Sequence, residues 1–405
     1  MNDKPITSPQ QQPSVAIRNY SFLVFYLVML SALGSFVNDM YAPALPSMAR
    51  LFGCSVPTAQ MGLTMGMIGL AVGQLILGPV SDRVGRKPVL VGSMAVFIVA
   101  AVVSVFSPTI HFFLGCRVFQ GIGAAGGYFL ARTIPADLYG GRALAKLMAI
   151  VGAINGLAPA ASPVIGGIIT DAWSWKGVFW VLAAFALVLV ALSPLSRESL
   201  PKDRRFKGPW SQELGRYLVL LRNKPFMVHV ILKGAALGLL FAYISSSSFI
   251  IQNVYGFSAT DYGFVIGINA LFCAAGSMAA LKFKVLKKAG VVGAWILVVV
   301  MTAICVSLWL VKNFWVYELL MLPMMVALGM IFTMSNTLAM NEGRTSAGEA
   351  SAVLGVSGYV FGAIVAPLVG VGDMLHSTAI VYAVMTVILI VAAEASRRLP
   401  ADLGK

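Results

Sequence analysis

Twelve apolar segments, each close to the roughly 20 residues a helix needs to cross a bilayer, run through this 405-residue chain. A water-soluble fold cannot absorb them. Soluble domains carry about 25% charged and about 45–50% apolar residues, whereas this chain has 11% and 59%. With 23 Phe, 12 Tyr and 7 Trp it is too aromatic and too weakly charged for a disordered polymer. Cys54, Cys116, Cys273 and Cys305 are too sparse for a disulfide scaffold and form no CxxC pair. His111, His229 and His376 are equally scattered, so no metal or haem site is expected. The expected fold is all-α and polytopic, with twelve transmembrane helices in two pseudo-symmetric six-helix bundles around a central cavity.

The segments are expected at 20–45, 58–80, 89–107, 110–133, 143–170 and 176–196, then at 225–252, 260–281, 291–311, 314–338, 348–371 and 377–396. Residues 1–19 read as a polar cytoplasmic tail, 197–224 as a cytoplasmic central loop and 397–405 as a second cytoplasmic tail. The first apolar run is too long, and has too many successors, for a signal peptide. A net charge of +14 would suggest nucleic acid in a soluble protein; here its distribution reports topology. One set of loops holds Arg83, Arg86, Lys87, Arg142, Lys146, the basic residues from Arg197 to Lys224, then Lys282, Lys284, Lys287, Lys288 and Arg344. The alternating set holds Arg50, Lys176 and Lys312. Both termini are therefore expected on the cytoplasmic side of the membrane, with the lipid bilayer as partner and no nucleic acid.

Six spans on either side of a basic linker is the layout of transporters built from two repeats around a midplane site. A channel or a membrane enzyme could share the count. No G-x-x-x-x-G-K-[ST] run is present to bind a nucleotide, and no HExxH or G-x-S-x-G to do catalysis. Neither ATP coupling, a catalytic residue nor a cofactor is expected.

Four local patterns carry more. Between the second and third segments the chain reads Gly78-Pro-Val-Ser-Asp82-Arg83-Val-Gly85-Arg86-Lys87-Pro88. An acid ahead of a tight basic turn suits a charge latch, with Asp82 at a helix terminus and Arg83 and Arg86 on acids or carbonyls. The second half keeps only the charge, in Lys282-Phe-Lys284-Val-Leu-Lys287-Lys288, so a latch would be one-sided. The fourth segment holds Arg117-Val-Phe-Gln120-Gly121, in which glycine permits close backbone approach and an ionisable residue within a span is functional by default. The fifth reads Gly156-Leu-Ala-Pro159-Ala-Ala-Ser-Pro163-Val-Ile-Gly166-Gly167, where proline kinks the helix and the glycine pair packs tightly. The first ends Asn38-Asp39-Met40-Tyr41-Ala-Pro43-Ala-Leu-Pro46, and Asp39 is the one carboxylate inside the first six segments.

These runs resemble the major facilitator superfamily. The 78–88 loop has the form of its motif between spans two and three. Arg117-x-x-Gln120-Gly121 is similar to a motif of its proton-coupled members. The fifth-segment run looks like the antiporter motif of its exporters, with Ser162 where the strict version has Gly. The run from Asp39 looks like the Asp-x-Tyr-x-Pro-x-x-Pro motif of the twelve-span drug:proton antiporters, and the four together point to the bicyclomycin and chloramphenicol resistance subfamily. The resemblance implies a monomeric proton-coupled exporter of small amphipathic drugs, phenicol- or bicyclomycin-like, the alternative being proton-coupled transport of a metabolite. It implies proton coupling through Asp39 and Arg117 and gating by Gly78, Asp82, Arg83, Gly85, Arg86 and Lys87. Gly156, Pro159, Pro163, Gly166 and Gly167 would be the antiporter motif.

Helical arithmetic supplies cavity candidates. Tyr128 lies eleven positions beyond Arg117 and within about 20° of its face, with Gln120 on nearly the same stripe. Phe36, one turn before Asp39, offers an apolar wall, and Tyr41 and Lys233 complete the expected set. Glu318, one turn into the tenth segment, is expected at the interface. An aromatic floor under a polar rim would suit a neutral, hydroxylated or amide-bearing drug.

Overall fold

The computed structural model describes residues 20–208, 210–344 and 347–399. The tail expected at 1–19 and residues 400–405 of the tail expected at 397–405 lie outside the described residues, while the helix before that second tail runs on to Arg398. Among those described, helices dominate and no strand occurs. The first half consists of α1 (Tyr20–Asp39), α2 (Leu45–Phe52), α3 (Val56–Val84), α4 (Arg86–Val105), α5 (Ile110–Leu138) and α6 (Gly141–Leu192). Helix α7 (Trp210–Arg222) lies in the linker. The second half consists of α8 (Lys224–Phe249), α9 (Ala259–Ala280), α10 (Leu286–Val306), α11 (Phe314–Glu342), α12 (Ala347–Val365) and α13 (Met374–Arg398).

Ten stretches of the described residues are long and apolar enough to cross a membrane. One of them, Lys146–Leu195, breaks at Trp173 and Ser174, where the Ser174 φ of 66° leaves helical geometry, and so contributes two spans. Helix α5 is not among the ten, because Arg117, Gln120, Arg132 and its glycines dilute its apolar character. It nonetheless packs between α1, α3 and α4 and completes the expected twelve. Val99, Phe119, Trp295, Leu310 and Leu319 point outward and stay more than half exposed, as a lipid-facing surface requires. Polar residues punctuate the spans: Thr109, Asn223, Asn313 and Asp373 accept from first-turn N–H groups of α5, α8, α11 and α13. Ser258 and Asp261 form a capping box at α9.

The two halves meet along α3 against α12 and along α6 against α9. These are the second segment with the eleventh and the fifth with the eighth, pairs that exchange when segment n is mapped onto segment n+6. At the end remote from the linker, called distal below, hydrogen bonds tie the halves. Ser248 Oγ donates to the Ala42 carbonyl at 2.8 Å, Gln252 Nε2 to that of Pro43 at 3.0 Å, and Arg50 Nη1 to Asn253 Oδ1 at 3.2 Å. Asp171, just before the break in α6, accepts from the Thr260 amide at 2.8 Å and its hydroxyl at 2.6 Å.

The central stretch is more than the polar loop its composition suggests. Helix α7 inserts Leu220 among Phe226, Val230 and Leu354 while Leu218, Val219 and Leu221 remain exposed. Such a one-sided helix fits the membrane interface.

Candidate functional site

Glycines bring α3 and α5 so near that a Cβ on Gly69 would sit 2.2 Å from the Val118 carbonyl oxygen, and one on Gly121 2.3 Å from that of Gly66. This close crossing carries Arg117 into the bundle, where it is 0% exposed. Its Nε donates to the Gly62 carbonyl at 3.1 Å, and Nη2 to the Val37 carbonyl and to Asn38 Oδ1, both at 2.9 Å. Nη1 donates to Gln120 Oε1. The guanidinium carbon also lies 4.8 Å from the centre of the Tyr41 ring. A planar fork with five donors can join α1, α3 and α5 in this way, and few other side chains could.

Asp39, the last residue of α1, is 8% exposed and lines a cavity of about 550 Å³ between the halves. The first half contributes Gly34, Asn38, Tyr128, Arg132, Gly156, Pro159 and Pro163 to its wall. The second contributes Lys233, Tyr243, Tyr262, Asn269, Asn336 and Tyr359. Among the described residues no hydrogen bond or ion pair reaches the Asp39 carboxylate. A carboxylate so placed needs a proton, a cation or water for company. The expected pairing of Arg117 with Asp39 is not made. Successive helical residues diverge by about 100°, so Asn38 meets the guanidinium while Asp39 faces the cavity.

Of the five expected cavity residues, Tyr128 and Lys233 line the wall. The other three sit elsewhere. Phe36 packs on Phe185 at a ring separation of 5.3 Å. Tyr41 falls past the end of α1, where helical arithmetic stops applying, and packs tilted on Phe113 and edge-on to Phe179, each at 5.7 Å. Gln120 is buried because it serves Arg117. Glu318, expected at the interface, is half-buried and accepts from Asn269 Nδ2 at 2.7 Å; the same nitrogen bonds the Tyr243 hydroxyl at 2.7 Å.

The 78–88 loop closes on groups the motif itself does not contain. Arg86 donates to Asp82 Oδ1 at 2.5 Å, to Ser81 Oγ at 2.6 Å, and through Nε to Asp137 Oδ2 at 2.8 Å. Glu198 of the linker accepts from the amides of Arg86 at 2.9 Å and Lys87 at 3.2 Å, placing a negative charge on the N-terminus of α4. The Lys87 ammonium donates to the Ser196 carbonyl at 3.1 Å, and Arg83 lies over the Phe206 ring at 5.1 Å. A Cβ on Gly78 would make only ordinary contact with Phe129. Gly85 has φ 112°, and a Cβ there would come within 2.7 Å of Glu198 Oε2 and 2.6 Å of Arg205 Nη2. Gly85→Ala should therefore dislodge the Glu198 cap. Strain of about 1–3 kcal/mol in the latched state corresponds to departure from it about five- to 150-fold faster, with substrate affinity unchanged. Single-molecule exchange rates set beside equilibrium binding check this, and lost binding with unaltered exchange would refute it.

The fifth-segment glycines lie at contacts with α1 and with the second half. A Cβ on Gly166 would reach within 2.0 Å of the Met40 carbonyl oxygen, and one on Gly167 within 2.3 Å of that of Ala259. Across the seam, a Cβ on Gly263 would meet the Pro163 carbonyl oxygen at 2.4 Å. Backbone cannot retreat as a side-chain tip can. Gly167→Val should force the distal seam apart at a cost of about 1–3 kcal/mol and shift the distal-closed population by at least about fivefold. Spin-label distances between α2 and the segment after α8 report that shift, and an unchanged distance distribution would count against it.

A family profile described as the Major Facilitator Superfamily matches residues 25–367. The chain belongs to this superfamily. It is 34% identical over 364 residues to the Uncharacterized MFS-type transporter YdgK of Bacillus subtilis strain 168, covering 87% of this chain and 89% of that one. It is 30% identical over 258 residues to Multidrug resistance protein D of Escherichia coli K12, covering 63% and 64%. It is 28% identical over 247 residues to Multidrug resistance protein MdtL of Escherichia coli O45:K1 strain S88, covering 61% of each. A bacterial homologue of the human lysosomal transporter Spinster, inward-facing and unoccupied, shares the fold with a TM-score of 0.73 at 15% identity, over 95% of this chain and 98% of that one. The xylose transporter XylE of E. coli, partially occluded and inward open, does so at 0.71 and 17%, over 95% and 100%. At such identities the likeness speaks to the fold alone.

This facilitator is thus a multi-pass membrane transporter of small molecules and not an enzyme. Its superfamily motifs account for the loop and the buried arginine, but they do not flag Arg132, Asn269 or Asn336 in the cavity wall. Arg132 had a usable signal: it lies four residues after Tyr128, on the same helical face.

Proposed function

We propose that this facilitator is a proton-coupled antiporter of the drug:proton branch. It exports small amphipathic compounds, of phenicol or bicyclomycin size, across a bacterial inner membrane by alternating access. It works as a monomer with both termini in the cytoplasm. The observation that carries this reading is Asp39, a carboxylate with no partner among the described residues, in the wall of the cavity between the halves. A group that alternates between proton and no proton must be reachable from the cavity and free of a permanent countercharge, and Asp39 meets both conditions.

In this reading the proton is carried on the Asp39 carboxylate. Arg117 acts as a positioning residue: by holding the Val37 carbonyl and the Asn38 side chain it fixes the end of α1 on which Asp39 stands. The α6–α9 seam closes the distal side, and the Asp82–Arg86–Asp137 cluster with Glu198 governs the linker side. The multidrug names of the E. coli relatives favour drugs as cargo. The skewed distribution of Lys and Arg favours the orientation.

A susceptibility panel in an efflux-deficient strain, followed by transport into everted membrane vesicles, tests the whole reading. Compounds to which the strain becomes resistant should accumulate in everted vesicles while a proton gradient stands and leak out on adding an uncoupler. Accumulation in right-side-out vesicles instead would favour metabolite uptake.

A further inference from the structure

We infer that the substrate carries an anionic group, best a carboxylate on a compact aromatic or apolar body, and that this group docks between Arg132 and Lys233. The inference takes the cavity from the transport reading and adds the charge of what it binds.

Two cations face this cavity, one from each half. Arg132 of α5 folds back over Tyr128, with its guanidinium carbon 4.4 Å from the ring centre and Nη2 donating to the tyrosine hydroxyl. Lys233 of α8 donates to Asn336 Oδ1 at 2.8 Å. Both are half-buried. Among the described residues neither comes within 4.0 Å of a carboxylate. Charges withdrawn from water are ordinarily paired, so two cations in one cavity wall, held among the described residues by neutral partners, make a site that fits an anion.

Asp39 does not fill that role. The Gly34 backbone meets the Tyr128 ring, which fixes the level of α1 against α5. From there Asp39 lies five residues toward the distal end, roughly 7.5 Å at helical rise, and among the described residues no ion pair joins it to Arg132 or Lys233.

The two cations suit different tasks. A guanidinium fork can take a carboxylate through two parallel hydrogen bonds, while the ammonium adds a point charge from the opposite side. Tyr128 and Tyr359 offer faces for an aromatic body. An anion bridging α5 and α8 also joins the two halves, so its binding would draw the cavity walls together.

The test uses purified full-length protein and titration calorimetry with two probes of one shape, 2-naphthoate and 2-naphthamide. The wild type should bind the carboxylate at least about tenfold more tightly than the amide, the worth of one charge-assisted contact. Arg132→Gln and Lys233→Gln should each remove most of that preference while leaving naphthamide affinity unchanged, and Lys233→Arg should keep it. Should Arg132→Gln not fold, Lys233→Gln with its arginine control decides alone. Equal affinity for the two probes, no saturable binding of naphthoate, or equal weakening of both probes in Lys233→Gln would overturn the inference. Binding at equilibrium is blind to flux direction, so this result and the everted-vesicle result can fail separately.

Discussion

Asp39→Asn should insert, fold and bind substrate as the wild type does, yet lose uphill transport altogether. The side chain has no partner among the described residues, so an amide of nearly equal size breaks no contact. What it removes is the exchangeable proton. One charge crossing 100 mV supplies roughly 2.3 kcal/mol, enough to hold a substrate gradient of roughly fiftyfold. Without that exchange the gradient falls to one, while downhill exchange of labelled for unlabelled substrate continues. Everted vesicles measured with and without a proton gradient separate these two activities. Normal gradient-driven accumulation by Asp39→Asn would remove Asp39 from the mechanism.

Arg117→Lys should fail by another route, although the charge is kept. The guanidinium serves the Gly62 and Val37 carbonyls, Asn38 and Gln120 together. An ammonium is a compact point charge and cannot span that set. Each buried acceptor left without a donor costs about 1–3 kcal/mol, so a total loss of about 2–5 kcal/mol is expected. The thermal midpoint should drop, substrate binding should weaken, and export should be lost for every substrate. Asp39→Asn leaves the midpoint where it was, so thermal-shift measurements on the two proteins distinguish a missing proton carrier from a collapsed frame. A wild-type midpoint with intact export in Arg117→Lys would mean that the network does not hold α1.

Much of the frame is legible in the sequence, for physical reasons that also mark where legibility stops. Length and apolarity locate most spans because a bilayer demands both. Helix α5 escapes that criterion through its arginines and glycines, yet the alternation of basic and neutral loops requires a span there. The break at Trp173 and Ser174 falls in the short gap between the fifth and sixth expected segments. Contacts set by tertiary structure are another matter. Periodicity gives an angle on a helix but not the neighbour at that angle, which is why Gln120 serves Arg117 and not the cavity. It gives nothing past a helix end, which is why Tyr41 lies outside the cavity wall it was expected to line. Arg132 is no loop charge, and none of the motifs contains it. Asp137 and Glu198 are single acids in ordinary surroundings, and only the fold sets them against Arg86 and the start of α4.

The docking of 196–206 changes where the molecule divides. Glu198 caps α4, Ser199 donates to Asp137 at 3.0 Å, and the Phe206 amide donates to the Asp82 carbonyl at 2.9 Å. These residues are structural parts of the first bundle, although they come after its last span. The true joint between the modules lies past Phe206, and a shortened or exchanged linker that begins at residue 197 would strip the first module of its own fastening. Length between the spans is therefore not interchangeable with sequence. The stretch up to Phe206 belongs to the first bundle and Leu220 of α7 packs on the second, so the joint lies between them.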